Sequence, residues 1–413
     1  MVDRQLERRA SLAVFCFCLL SYGYFIYRGE HHNPDSRLAL TYSIVEQGTL
    51  TIDRYATQTL DRAYRHGHYY SDKAPGLSLL LAPLYFVLRP ILEPLAAIEA
   101  GDRFLSRYLL TFLGLGMPAA GFCAWLLHWL RRFELGLRFR IAVIMAYAVG
   151  SPAYPFSIAA FGHVPAGMAL FGAFAAISGK GTGDHGSGAI AGALLALAFA
   201  LEYPAALPAI AIAAYAVARA GNMWFSAAAL AFGALPVLAM VAVYHALAFG
   251  APWRVGYALL DPAAPYARAQ AQGLFGVGWP DVRVLVALLV GEKRGLLLYA
   301  PWVLLSLPGA WLWWRRGRRA ETALVVAVFG GLLLVNAGYA VWDGGASWGP
   351  RHLVPALPFI ALMALPTASR WPLTAALLVA GSVVLTWSGV ASLGLSSPEV
   401  ESPLRDALLP RVV

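Results

Sequence analysis

The groups able to do chemistry gather in a few short segments of this chain. Pro34-Asp35 opens a helical pattern that Gly48 closes, so a carboxylate stands near a helix start. Its plainest role is a helix cap. Tyr70-Ser71-Asp72-Lys73-Ala74-Pro75-Gly76 places a lysine directly before a Pro-Gly entry into a long apolar run. Of the 31 basic residues only Lys73, Lys180 and Lys293 are lysine. A fixed ammonium at a water–lipid boundary suits a lipid phosphate. The alternative is a lysine that anchors a helix end. Further polar groups lie in Gly291-Glu292-Lys293-Arg294, in Trp342-Asp343-Gly344-Gly345 and in Arg351-His352. His163, Glu202, Asp53 and Tyr70 complete the set.

The elements that must position them are membrane helices. Of 413 residues, 59% are hydrophobic and 13% charged. A soluble domain carries about 25% charge. The composition therefore reads as an all-α polytopic membrane protein and excludes a coiled coil, a collagen or a disulfide scaffold. The net charge of +9 comes from short arginine runs between apolar segments, which is an orientation signal and gives no reason to expect nucleic acid. Cys16, Cys18 and Cys123 all lie in apolar runs, so no disulfide framework or cysteine zinc site is expected.

The first run, 11–27, follows Arg4, Arg8 and Arg9 and reads as a first span with its N-terminus in the cytoplasm. Further runs lie near 75–92, 104–130, 141–158, 160–178, 189–201, 204–218, 223–249, 284–314, 321–338, 351–366 and 372–394. Arg131, Arg132, Arg138 and Arg140 mark one cytoplasmic loop, and Arg315, Arg316, Arg318 and Arg319 another. Lys180, Arg219 and Arg370 mark weaker ones. The outer segments are then 28–74, about 151–163, about 202, 250–292, 339–350 and a tail from 395. This parity requires 75–103 to return to the outer side, as a re-entrant or twice-crossing segment broken at Pro75, Pro83, Pro90 and Pro94. Eleven to thirteen crossings are expected, about 20 residues each. The apolar runs 189–201 and 204–218 read as two short helices split at Glu202-Tyr203-Pro204. Residues 34–48 read as an amphipathic helix whose Leu38, Tyr42 and Val45 face the membrane. Asp61 reads as solvated and Asp72 as a partner of Lys73.

With this order and sidedness, Tyr70-Ser71-Asp72-Lys73-Ala74-Pro75-Gly76 resembles the Lys-Pro-Pro or Lys-x-Pro-Gly signature of GT-C membrane glycosyltransferases, both the protein-O-mannosyltransferase-like enzymes and the aminoarabinose lipid A transferases. Residues 291–301 and 342–355 are similar to patterns common in bacterial members, and the resemblance covers about 1–370. It implies a GT-C-type bundle over 1–394, with outer loops 28–74 and 250–292 forming the active face and 395–413 a short outer tail. It implies transfer of a sugar from a polyprenyl-phosphate carrier to an acceptor at the outer, periplasmic face of a bacterial inner membrane, with inversion. Asp35 matches the general base and Lys73 the phosphate ligand. By position and chemistry, Lys293, Arg294 and Arg351 join the phosphate side. His163, Glu202, Asp343, Asp53 and Tyr70 are accessory candidates. Glu202 is suited to orient a cation such as Arg351.

Asp35-Ser36 stands where many relatives carry Asp-Glu, and 151–163 lacks the second acid found in some. His163 could take that acid's place as a hydrogen-bond donor, although a satisfied helix-end histidine is the plainer reading. His31-His32 and His66-x-His68 are weak metal signals that read more readily as interfacial polar residues, so no cofactor is certain, and a divalent metal is left open but not indicated. Membrane lipids are the expected surroundings, and the acceptor (protein, lipid or glycan) is left open. Two other classes compete: a lipid or polysaccharide transporter, and a non-catalytic GT-C-like subunit.

Overall fold

A computed structural model describes residues 2–25, 31–98, 103–180, 185–392, 395–397 and 399–412. About three-quarters of it is helical. The N-terminal helices are α1 (Val2–Tyr24) and α2 (His32–Gln47). A 3₁₀ turn at Asp53–Gln58 leads to an antiparallel hairpin, β1 (Arg62–Arg65) and β2 (His68–Ser71). Next come α3 (Gly76–Ile98) and α4 (Phe104–Thr111), which continues through a π-turn into α5 (Met117–Trp129). Then follow α6 (Leu137–Val149), α7 (Ala153–Ser157), α8 (His163–Lys180), α9 (His185–Leu201), α10 (Ala206–Ala218) and α11 (Met223–Phe249). The last third holds α12 (Ala267–Gln270), α13 (Val282–Val290), α14 (Leu296–Tyr299), α15 (Ser306–Arg315), α16 (Arg319–Ala337), α17 (Leu357–Arg370), α18 (Pro372–Ser392) and α19 (Leu409–Val412).

Among the described residues, six helical stretches are long and apolar enough to cross a membrane: Gly76–Pro94, Phe104–Phe133, Met223–Phe249, Arg319–Ala337, Arg351–Arg370 and Pro372–Ser392. Three more apolar helices, His163–Ser178, Gly186–Leu201 and Tyr203–Ala218, are shorter. By length and composition this is fewer than the eleven to thirteen expected. The reason is that several apolar runs fold as pieces below the roughly 20 residues a span needs. The chain is an all-α membrane-type protein with one small hairpin.

The centre is α17. Every residue from Leu357 to Ala368 is buried, and α6, α8, α15 and α18 pack around it. A helix apolar on all sides can only be an inner one. Nearby, α9 and α11 approach at backbone distance. A methyl group on Gly192 would strike the Leu230 carbonyl, and one on Gly233 would strike that of Ala189. Gly188 and Gly192 form the small-xxx-small stripe that permits this.

Two expectations about the first loop are corrected. The helix at 34–48 exists, as α2, but it does not lie on a membrane surface. Pro34 to Ser43 are all buried, because α3 and the hairpin enclose it. Tyr42 packs its ring 4.9 Å from Tyr85 and 5.7 Å from Tyr55. The segment after Pro75 is not broken. Pro83, Pro90 and Pro94 lie within one continuous α3. All three fall on its exposed strip, where a lost backbone hydrogen bond disturbs no packing. The hairpin was not foreseen. His66 and Gly67 turn it with φ of 51° and 86°, a pair of left-handed residues that suits a two-residue hairpin loop. The expected cytoplasmic turn after Lys180 lies outside the described residues at 181–184.

Candidate active site

The hairpin delivers Asp72 and Lys73 to the start of α3. Arg37 of α2 fixes that junction by donating to the Ala74 carbonyl at 3.2 Å and to the Leu201 carbonyl at 3.2 Å. Ser36 and Ser71 share a hydroxyl hydrogen bond of 2.8 Å. The Lys73 ammonium, 5% exposed, sits 2.7 Å from Asp61 Oδ2 and 3.0 Å from Asp72 Oδ2. The rings of Tyr257 and Tyr266 lie 5.6 and 5.8 Å from it. Burial alone would lower the Lys73 pKa, but the two carboxylates outweigh it and hold the group above the ordinary lysine range. Burial pushes Asp72 up to about 6, only partly offset by Lys73. For Asp61, Lys73 outweighs burial and lowers it. Asp72 pairs as expected. Asp61 is not solvated; it is buried and also accepts from the Tyr266 hydroxyl. Two acids around one ammonium leave no excess positive charge there for a phosphate: besides the expected Asp72, Asp61 also neutralises Lys73.

Asp35 lies in the first turn of α2 and is 6% exposed. His31 occupies the N-cap position, and its backbone N–H donates to Asp35 Oδ2 at 3.1 Å. The carboxylate thus does capping work from inside the helix. Its other oxygen is 3.4 Å from Arg107 Nη2. Asp35 and Arg107 line a narrow cleft that opens to solvent, walled by Tyr22, Phe25, Leu38, Phe112 and Ile158. Arg107 was missed in the sequence. It is the one charged residue between Phe104 and Leu130 in the apolar stretch that ends at Phe133, and a charge within an apolar stretch is itself a functional signal.

Arg351 carries no counter-charge. Among the described residues no carboxylate lies within ion-pair distance of it. Its Nε donates to His352 Nε2 at 3.4 Å, and its guanidinium sits 5.3 Å above the Phe161 ring. Gly344, with φ of 71°, lets the loop pass; a methyl group there would come within 2.8 Å of Arg351 Nε. The charge of Arg351 is felt both by Asp61 beside Lys73 and by His31 beside Asp35.

Behind Arg351 lies a buried polar chain. His352 Nδ1 is 2.7 Å from Asn336 Oδ1, and its ring is 5.5 Å from that of His163. His163 starts α8 and is 4% exposed. Its Nδ1 is 3.6 Å from Glu202 Oε1, and its Nε2 is buried without a partner among the described residues. It is not the satisfied helix-end histidine of the plainer reading. Glu202, at the break between α9 and α10, binds Arg37 Nη2 at 2.7 Å and does not orient Arg351. The break itself is as expected, with Glu202 extended at φ −148°, ψ 116°.

The other candidates hold the scaffold. Arg294 is fully buried and donates to the carbonyls of Asp343 (2.8 Å), Gly345 (2.7 Å) and Lys293 (2.9 Å), and to Ser396 Oγ at 3.3 Å. It ties the Gly-rich loop to the C-terminal tail and has no fork left for a phosphate. Lys293 pairs with Asp343 (3.3 Å) and Glu401 (2.9 Å) on the same loop and tail. Asp53 caps the hairpin, accepting from the Tyr69 N–H and facing His68 Nδ1, both at 2.7 Å. Tyr70 is half-buried with its ring 6.0 Å from Phe249. Among the described residues no group of three His, Cys, Asp or Glu is arranged to hold a metal ion.

The chain matches no protein-family model, no curated protein and no solved structure. What the site can do rests on its geometry: a buried, oriented carboxylate in an apolar cleft, and a guanidinium without a carboxylate partner whose charge reaches His31 next to it.

Proposed function

We propose that the chain is a membrane glycosyltransferase. It moves a sugar from a polyprenyl-phosphate-linked donor to an acceptor hydroxyl, at the periplasmic face of a bacterial inner membrane. The observation that carries this reading is the pairing of roles between Asp35 and Arg351. Asp35 is held by the His31 N–H and Arg107 at the edge of a cleft lined by apolar side chains. Arg351 offers two planar N–H donors with no carboxylate on them. In the step, Asp35 accepts the proton of the acceptor hydroxyl as that oxygen attacks the anomeric carbon. The bond from that carbon to the phosphate oxygen breaks, and the carrier phosphate leaves with the electron pair. General base catalysis of this kind is worth roughly 10²–10⁴-fold. Arg351 stabilises the departing charge, as a preorganised donor does best. Lys73 supports the site from behind, locked to Asp61 and Asp72.

The pairing of Lys73 favours one rival, a non-catalytic subunit that keeps the scaffold and lacks the chemistry. The test separates them. Purified protein in nanodiscs is given radiolabelled polyprenyl-phosphate sugars and lysed native membrane as acceptor. Label transfer by the wild type that disappears in Asp35→Asn supports the enzyme. No transfer with any donor overturns it.

A further inference from the structure

The two arginine-rich turns meet at one cavity. Arg132, in the turn after α5, and Arg318, just before α16, line one cavity that opens to the surface. Phe133, Phe174 and Trp313 supply its apolar wall, and Ser178 and Glu321 its remaining polar groups. The Arg132 guanidinium lies 4.1 Å from the Trp129 ring centroid. That of Arg318 lies 5.0 Å from Phe133 and 5.1 Å from Trp313. Stacking of this kind holds the planar forks in place and leaves their edges open. Glu321 shares the cavity, yet among the described residues neither arginine forms an ion pair with it or with any other carboxylate.

The cavity is remote from Asp35 and Arg351. Helix α8 begins at His163, in the polar chain behind Arg351, and reaches Ser178 fifteen residues later, about 22 Å away along the axis. Helix α16 spans the same gap, from Glu321 at the cavity to Asn336 beside His352. The two sites occupy opposite ends of the same helices.

We infer that this cavity binds a phosphate group, with Arg132 and Arg318 as its two forks. Planar forks match phosphate oxygens two at a time. An aromatic wall suits the glycerol and first methylenes of a lipid, and basic pockets between membrane helices are a known place for anionic headgroups. The phosphate belongs either to such a lipid or to a soluble anion. This site is separate from the proposed glycosyl transfer and does not depend on it.

The test uses the full chain in nanodiscs of phosphatidylcholine mixed with phosphatidylglycerol, with retained lipid counted by native mass spectrometry after transfer to detergent. The wild type retains phosphatidylglycerol preferentially. Arg132→Gln and Arg318→Gln each weaken retention about fivefold, the worth of one arginine at an anionic membrane surface. Arg315→Gln with Arg316→Gln removes two charges outside the cavity, as many as the Arg132/Arg318 double variant, and leaves retention unchanged. Ser178→Leu fills the cavity, keeps every charge and also weakens retention, so a folding defect in the arginine variants does not decide the matter. If no lipid is retained but inorganic phosphate raises the melting temperature of wild type and not of the Arg132/Arg318 double variant, the site stands with a soluble anion as its ligand. Equal loss in the Arg315/Arg316 control, or neither lipid preference nor phosphate stabilisation, overturns the inference.

Discussion

Lys73 Nζ stands 2.7 Å from Asp61 Oδ2, twelve residues away across the hairpin, in a place where both side chains are buried. With Asp72 the cluster holds two acids and one ammonium. Removing the ammonium leaves two carboxylates in a low-dielectric site. Breaking a buried pair from one side costs about 3–5 kcal/mol. We therefore expect Lys73→Met to lower the melting temperature sharply, and Lys73→Met with Asp61→Asn and Asp72→Asn to recover most of it. A Lys73→Met protein of unchanged melting temperature that loses donor affinity alone would restore Lys73 as the phosphate ligand.

Asp35→Asn tests the base. The amide can still accept the His31 N–H, so helix α2 keeps its start. It cannot take a proton. Label transfer should fall by roughly 10²–10⁴-fold while donor binding and melting temperature hold. A variant that retains wild-type turnover would remove Asp35 from the mechanism.

The two neighbouring arginines should separate cleanly. Arg294 fills its forks with backbone carbonyls at 2.7–2.9 Å, whereas Arg351 has no carboxylate partner among the described residues. Arg351→Gln is expected to raise the KM for the donor about tenfold or more with little change in melting temperature, since charge-assisted phosphate contacts are the strong ones. Arg294→Gln is expected to do the reverse, leaving several buried carbonyls without donors. Steady-state kinetics and thermal melts on both proteins read this directly.

The membrane class, most helices and the break at Glu202 were legible because they depend on local pattern: apolar runs and Pro-containing breaks. The packing of α2 was not. Its Leu38 and Tyr42 stripe looks the same in sequence whether lipid or protein covers it, and only the return of the chain through the hairpin and α3 decides. Continuity of α3 was misread for a related reason. Three prolines seven and four residues apart signal a break by count, but on one exposed strip they are tolerated. The charge pairs were hidden as well. Arg37–Glu202 joins residues 165 apart, and no spacing rule reaches that far. Asp35 and Arg351 were legible as candidates, and what distinguishes them from Lys73, Lys293 and Arg294 is who neutralises whom.

His31 offers a test of the same face by pH. Burial first, and then the charge of Arg351, hold its pKa at about 4, below the ordinary 6.5. The folded protein thus resists a proton that the unfolded chain accepts. The stability this contributes is fully present above about pH 6.5 and is lost as pH falls toward about 4. Wild-type melting temperature should drop through that window. His31→Gln keeps the backbone N–H that caps Asp35 and removes the titrating ring, so its drop should be shallower. Adding Arg351→Gln to the wild type should also reduce the slope, because one source of the depressed pKa is gone. Parallel melting curves for wild type and His31→Gln across the window would place His31 in solvent and detach it from Arg351.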